Sequence, residues 1–207
     1  MAAHSEDSSA SNASTLRSDR SQSIREAALR LFSTNGYPSV SLRQLAESIG
    51  IQVGSLYNHM ENKQELLFDL VEEAEYILLS NLEQTRRGSS VAAERLTNYI
   101  QCHLRHIYEH RNHHTLATRD AGYLSSEQMD IVLGIRRKQL NILRDILLHG
   151  NAQKSFLVSD VMLTASAIRA LLEGVVNHLA ASNITYDYAK GKIGPLVLCA
   201  VGCKRKP

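Results

Sequence analysis

The chain of 207 residues has no tryptophan, three prolines, three cysteines and few aromatic residues. Proline at that level, with only 11 glycines, withholds the turn chemistry of a strand-rich sandwich or barrel and leaves room for long helices. The cysteines (Cys102, Cys199 and Cys203) are odd in number and lack metal-site spacing, so they read as free thiols in a reducing compartment. A long uncharged apolar run is missing too. The nearest, Val161–Leu179, contains Arg169, Glu173 and His178, so no membrane partner is expected. The opening MAAHSEDSSASNAS has no apolar core of a signal peptide, which places the protein in the cytoplasm by expectation. Charge of one sign is also lacking: the formal net charge is +2. Between Arg17 and Leu66, six basic residues (Arg17, Arg20, Arg25, Arg30, Arg43, Lys63) face five acidic ones (Asp19, Glu26, Glu47, Glu61, Glu65). Any nucleic-acid footprint must therefore come from placement on one face, not from total charge.

What is present is helical spacing. Residues 1–18 are Ser-rich and aperiodic and read as a disordered tail. Ile24, Ala27, Ala28, Leu31 and Phe32 then recur at the spacing of one helix face, and Gly36 ends the run. Ser41-Leu42-Arg43-Gln44 is a capping box, with Val40 and Leu45 at the staple positions. Leu42, Leu45, Ala46 and Ile49 form the apolar face of a two-turn helix that Gly50 stops. A third short helix is predicted from Val53 to His59. Asn62-Lys63-Gln64-Glu65 reads as a second capping box, opening a long helix with Leu66, Leu67, Leu70, Val71, Ala74, Ile77 and Leu78 on one face. Further helices are predicted near 91–111, 114–121, 125–149, 159–182 and 186–203. The fold class is therefore all-α: a helix-turn-helix domain over 19–66, then a helical domain over 67–207.

The short helices separated by Gly50-Ile51-Gln52 have the layout in which the second helix of a pair enters a DNA major groove. Such a helix needs an anchored inner face, here Leu56 and Met60, and a short polar outer face, here Ser55, Tyr57, Asn58 and His59. Gly54 lets backbone approach DNA closely. No nucleophile elbow, metal triad, P-loop or dinucleotide fingerprint points to an enzyme, and no cofactor is implied. The rival reading, a helical adaptor without DNA binding, fits poorly with the intact Gly54–Lys63 segment.

Ile24–Leu67 (IREAALRLFSTNGYPSVSLRQLAESIGIQVGSLYNHMENKQELL) resembles the TetR-type signature. It has the Ala-Ala and Leu-Phe helix, Gly-Tyr, a Ser-capped helix, the Gly-Ser-Leu-Tyr-x-His segment and a Lys that starts the next helix. The resemblance implies that Arg43, Val53, Gly54 and Asn58 face bases. It implies that Ser41, Ser55, Tyr57, His59 and Lys63 mainly meet phosphates. Two positions depart from the pattern. Gln52 stands where Ser or Thr is favoured as N-cap, and Met60 stands where an aromatic is usual.

The same resemblance implies a repressor that binds a palindromic operator as a homodimer and releases it on binding a small molecule. The nearly all-round apolar helix at 159–182 and the segment 186–203 are the expected dimer helices, with Pro195 either kinking or starting the second. Periodicity selects Leu104, Ile107, Tyr108, Tyr123, Met129, Leu133, Leu140, Leu143, Leu171 and Val175 as the effector pocket. Its apolar character implies a hydrophobic or acyl-type effector. The residues His110-Arg111…Arg119-Asp120, followed by Arg136-Arg137-Lys138, loosely resemble regulators of lipid, steroid or acyl-CoA breakdown. The histidines at 103, 106, 110, 113 and 114 read as surface or core residues, and no metal site is expected.

Overall fold

In a computed structural model of the chain, residues 6–86, 89–180 and 185–203 are described, with side chains from residue 18 onward except those of 175–180. Every regular element there is helical: α1 (Glu6–Asn35), α2 (Leu42–Ser48), α3 (Val53–Leu56), α4 (Lys63–Thr85), α5 (Ala92–Glu109), α6 (Arg111–Arg119), α7 (Ser126–Ala152), α8 (Val161–Ala180) and α9 (Tyr186–Ala200). Short 3₁₀ turns cover Tyr37–Ser39 and Ala121–Tyr123.

The chain divides into two compact units. The first holds residues 1–73 together with 112–129; the second holds 74–111 and 130–207. A single boundary near residue 66 does not register that α6, the turn after it and the start of α7 pack with the N-terminal helices. The helical backbone of α1 reaches back to Glu6, through most of the stretch expected to be a tail.

The first unit is built on the predicted apolar faces. Ile24, Ala27, Ala28 and Phe32 of α1 are buried with Val40, Leu45 and Ala46, and with Leu66, Leu67, Leu70 and Val71 of α4. Each of the Ile, Leu, Val and Phe side chains contributes roughly 1.5–3 kcal/mol by leaving water, and the alanines less. Arg25 fastens α1 to α4 through Asp69 (3.0 Å) and Glu73 (2.6 Å). Gly36, at φ 85°, and Gly50, at φ 68°, end α1 and α2 in the left-handed region that side chains with a Cβ avoid.

The second unit centres on α5, which packs most extensively on α9. Leu96, Ile100, Leu104 and Ile107 repeat every turn of α5 and are buried with Ile142, Leu143, Ile146 and Leu147 of α7, Ala165, Ile168 and Leu172 of α8, and Ile193 and Val197 of α9. Pro195 does not start α9; it sits inside the helix and is exposed. Its ring removes the hydrogen bond to the carbonyl of Gly191, which is also exposed and can be solvated. Cys203 falls beyond the end of α9, so it does not share a helix face with Cys199. Among the described residues, no helix is long and apolar enough to cross a membrane.

Candidate DNA-reading head and effector domain

The head is assembled from local caps. The Ser41 Oγ accepts from the Gln44 backbone N–H (3.2 Å), and the Gln44 side-chain oxygen accepts from the Ser41 N–H (2.7 Å), so the capping box is complete. It starts α2 with Arg43 pointing outward, its side chain 81% exposed and paired with Glu47 one turn on. That exposed pair raises the Arg43 pKa through a hydrogen bond and charge, and it leaves the guanidinium reachable.

The reading helix is shorter than predicted: α3 covers Val53–Leu56 instead of extending to His59. Its N-cap, Gln52, makes no side-chain cap hydrogen bond. Tyr57 closes it, and turn-type bonds from Asn58, His59 and Met60 to Ser55 and Leu56 continue the coil without a further regular turn. A weak cap and a four-residue body leave little helix to propagate. Leu56 is fully buried and Met60 partly so, as an inner face requires. Gly54, Tyr57 and Asn58 are exposed, while Val53, Ser55 and His59 are half-buried. A Cβ added to Gly54 would meet nothing, so this backbone lies open to a partner.

Lys63 has a different setting from the phosphate contact implied by resemblance. Its ammonium donates to the Tyr37 carbonyl and lies 4.0 Å from the Tyr37 ring centroid and 5.6 Å from that of Phe32. Partial burial lowers its pKa, and the charge of Asp120 opposes that shift. The second capping box is half made. Asn62 accepts from the Glu65 N–H (2.8 Å), but the Glu65 carboxylate accepts from Gln128 (2.9 Å).

Sequence reasoning missed the brace behind this head. Arg119 donates to the Phe32 and Ser33 carbonyls at the end of α1 and to the Asp120 carboxylate. Gln64 donates to the Tyr123 carbonyl (2.9 Å), and the Tyr123 ring lies 5.4 Å from that of Tyr37. The adjacent Arg119-Asp120 pair was a visible signal; its partners were not.

The structure splits the predicted pocket residues. Leu104, Ile107 and Leu143 are core residues of the second unit, with Tyr108, Leu140 and Leu171 packed partly buried against them. Tyr123 and Met129 belong to the first unit, where Tyr123 serves the head. Leu133 is 39% exposed, because the α7 face it occupies is not the one that meets the core. The Val175 side chain lies outside the described residues. An open groove of about 410 Å³ between α4 and α5 is lined by other residues, including Asn81, Thr85, Asn98, Arg105 and Glu109. Burial there raises the Cys102 thiol to about 11, which keeps it protonated. On α5, His103 and His106 are buried, and the His106 ring stacks on His110 at 4.9 Å.

A Ser-capped helix, a glycine turn and a short second helix with an open outer face define a helix-turn-helix regulator. Residues 24–70 match the family described as bacterial regulatory proteins, tetR family, and residues 89–177 match the tetracyclin repressor-like C-terminal domain. The chain belongs to the TetR family of transcriptional regulators, and it is not an enzyme. It is 27% identical over 139 residues to the HTH-type transcriptional repressor KstR2 of Mycolicibacterium smegmatis, covering 66% of this chain and 67% of that protein. A tetR-family regulatory protein from Rhodococcus RHA1 shares the fold at a TM-score of 0.82 and 23% identity, over 89% of this chain and 97% of that one. The transcriptional regulator FadR from Bacillus subtilis, solved in complex with stearoyl-CoA, shares it at 0.71 and 20% identity, over 85% and 96%.

Proposed function

We propose that this chain is a cytoplasmic repressor that binds a palindromic operator as a homodimer and is released by a hydrophobic or acyl-type effector. The observation that carries the reading is the exposed surface formed by Arg43, Gly54, Tyr57 and Asn58 on a capped helix-turn-helix frame. Arg43, Val53, Gly54 and Asn58 are assigned to bases. Ser41, Ser55, Tyr57 and His59 are assigned to phosphates, with Lys63 bracing the Tyr37 turn until DNA draws its ammonium outward. The DNA-binding part is assigned to 19–66, and the effector and dimer part to 67–207 apart from the stretch at 112–129 that packs with the N-terminal helices.

The dimer assignment draws on apolar side chains left on α8 and α9. Met162, Leu163, Tyr188 and Leu196 are each about half exposed or more, a pattern that a second copy would cover. Two reading helices in such a dimer need a spacing of about 34–36 Å to enter successive major grooves. The repressor reading draws on the relative KstR2, and the effector reading on FadR, solved in complex with stearoyl-CoA. An effector acts here only by binding the DNA-free arrangement more tightly than the DNA-bound one.

Genomic selection followed by footprinting should return one short palindrome, and light scattering should give a dimer. An acyl-CoA titration should release the bound fragment. Recovery of no preferred fragment would remove the reading.

A further inference from the structure

The first unit holds a cation inward that its own backbone does not need. Lys63 opens α4, and its ammonium donates to the Tyr37 carbonyl in the turn after α1. That carbonyl already accepts the Val40 N–H at 3.3 Å, so withdrawal of Lys63 leaves no unpaired acceptor. The ammonium also lies 4.0 Å from the Tyr37 ring centroid and 5.6 Å from that of Phe32, both within cation–π range. A lysine usually keeps its ammonium in water, whereas this one is docked on two rings and a carbonyl.

The other polar group of the Tyr37 backbone is held by Asp120. One carboxylate oxygen accepts both the Tyr37 N–H (3.2 Å) and an Arg119 Nη (2.8 Å), and the other accepts the Arg119 Nε (3.1 Å). Tyr37 is therefore gripped through its N–H by a buried acid and through its carbonyl by a cation. The charge of Asp120 also reaches the docked ammonium: burial lowers the Lys63 pKa, and Asp120 opposes that change. Docking of Lys63 is thus favoured by a carboxylate as well as by the two rings. All of these residues belong to the first unit.

A DNA phosphate competes with these internal partners for the same ammonium. We propose that Asp120, which lies outside the stretch 19–66 assigned to DNA binding, holds Lys63 in its docked position and so limits how tightly the head binds DNA. It is a positioning residue, acting through Lys63 without touching DNA. The inference rests on the assignment of Lys63 to phosphate above and names the residue that opposes it.

Asp120→Asn separates this role from that of a brace. Its amide oxygen can replace the carboxylate oxygen that serves Tyr37 and Arg119, while the negative charge is gone. Altering a residue that only braced the head would weaken DNA binding. Altering one that restrains Lys63 should tighten it.

The test uses the full chain as wild type, Asp120→Asn, Lys63→Met and the double variant. Fluorescence anisotropy across a salt series measures binding to the duplex recovered by genomic selection and to a scrambled duplex. Lys63→Met should weaken binding to both and lower the salt slope by about one. Asp120→Asn should tighten binding to both roughly three- to tenfold. That gain should largely vanish in the Lys63→Met background. Unchanged or looser binding by Asp120→Asn, or an equal gain without Lys63, would overturn the inference. The wild-type chain gives a second readout that needs no change at Asp120. Its Lys63 ammonium resonance, identified by its loss in Lys63→Met, should be shifted upfield by the two rings in the free protein and lose that shift on DNA. A shift retained in the complex would also overturn the inference. The readings fail separately. Wild type that binds neither duplex sinks the regulator reading and this inference with it. Lys63→Met without effect removes the phosphate assignment and this inference, and a Lys63→Met loss without an Asp120→Asn gain removes this inference alone.

Discussion

The Asp120 carboxylate accepts the backbone N–H of Tyr37 at 3.2 Å, joining residues 83 apart in the chain. Asp120 is nearly fully buried, and the same carboxylate holds Arg119, whose guanidinium caps the last carbonyls of α1. Asp120→Ala should therefore strand a backbone donor and a cation, at a cost of about 1–3 kcal/mol. Asp120→Asn should cost less, since an amide oxygen still accepts. Thermal unfolding checks the order; an alanine variant as stable as wild type would show that this junction is not a brace.

Gln52 offers a site for stabilisation. Its φ of −78° and ψ of 147° already suit an N-cap, and only the short side chain is missing. Gln52→Ser should bond an amide near Gly54 or Ser55 and stabilise the reading helix by about 0.5–1 kcal/mol. Slower hydrogen exchange at those amides is the readout. Unchanged exchange would mean that the helix is limited by its length instead of its cap.

Gly150 is a packing position. A Cβ built there falls inside the Phe156 ring, so Gly150→Ala must displace a buried aromatic. Overpacking of this kind costs roughly 1–3 kcal/mol, which lowers the melting temperature by several degrees. Adding Phe156→Leu should recover part of the loss in the double variant relative to the sum of the singles. Strict additivity would argue that the clash is relieved elsewhere.

Arg43→Ala should separate stability from recognition. The side chain is exposed and its pair with Glu47 is solvent-exposed too, so the melting temperature should not move. If Arg43 reads a base, discrimination against altered operators should fall by about ten- to hundredfold. A uniform loss across all sequences would reassign it to a phosphate.

The limits of sequence reading are visible at particular residues. Ser41 and Gln44 sit three apart, so their reciprocal cap follows from local chemistry and was legible. The apolar faces of α1 and α4 were legible for the same reason, because helical period is a local property. The missing cap at Gln52 was legible, but the resulting brevity of α3 was not. That Tyr123 falls in the first unit was not legible, because periodicity reports that a residue is apolar, not which unit receives it. The exposure of Leu133 was not legible either, because helical period does not say which apolar face of α7 meets the core.

By itself, then, the sequence determined that the chain is helical, the Ser41–Gln44 cap and the family, all of which rest on spacings of a few residues. Only the tertiary structure decided that residues 112–129 join the head, that Lys63 turns to Tyr37, and that Asp120 closes the turn after α1. It also decided that Gln139 of α7 is buried against Glu75 of α4 in the second unit. Those outcomes depend on pairings between distant segments, where burial and hydrogen-bond satisfaction are settled jointly, and no local pattern encodes them.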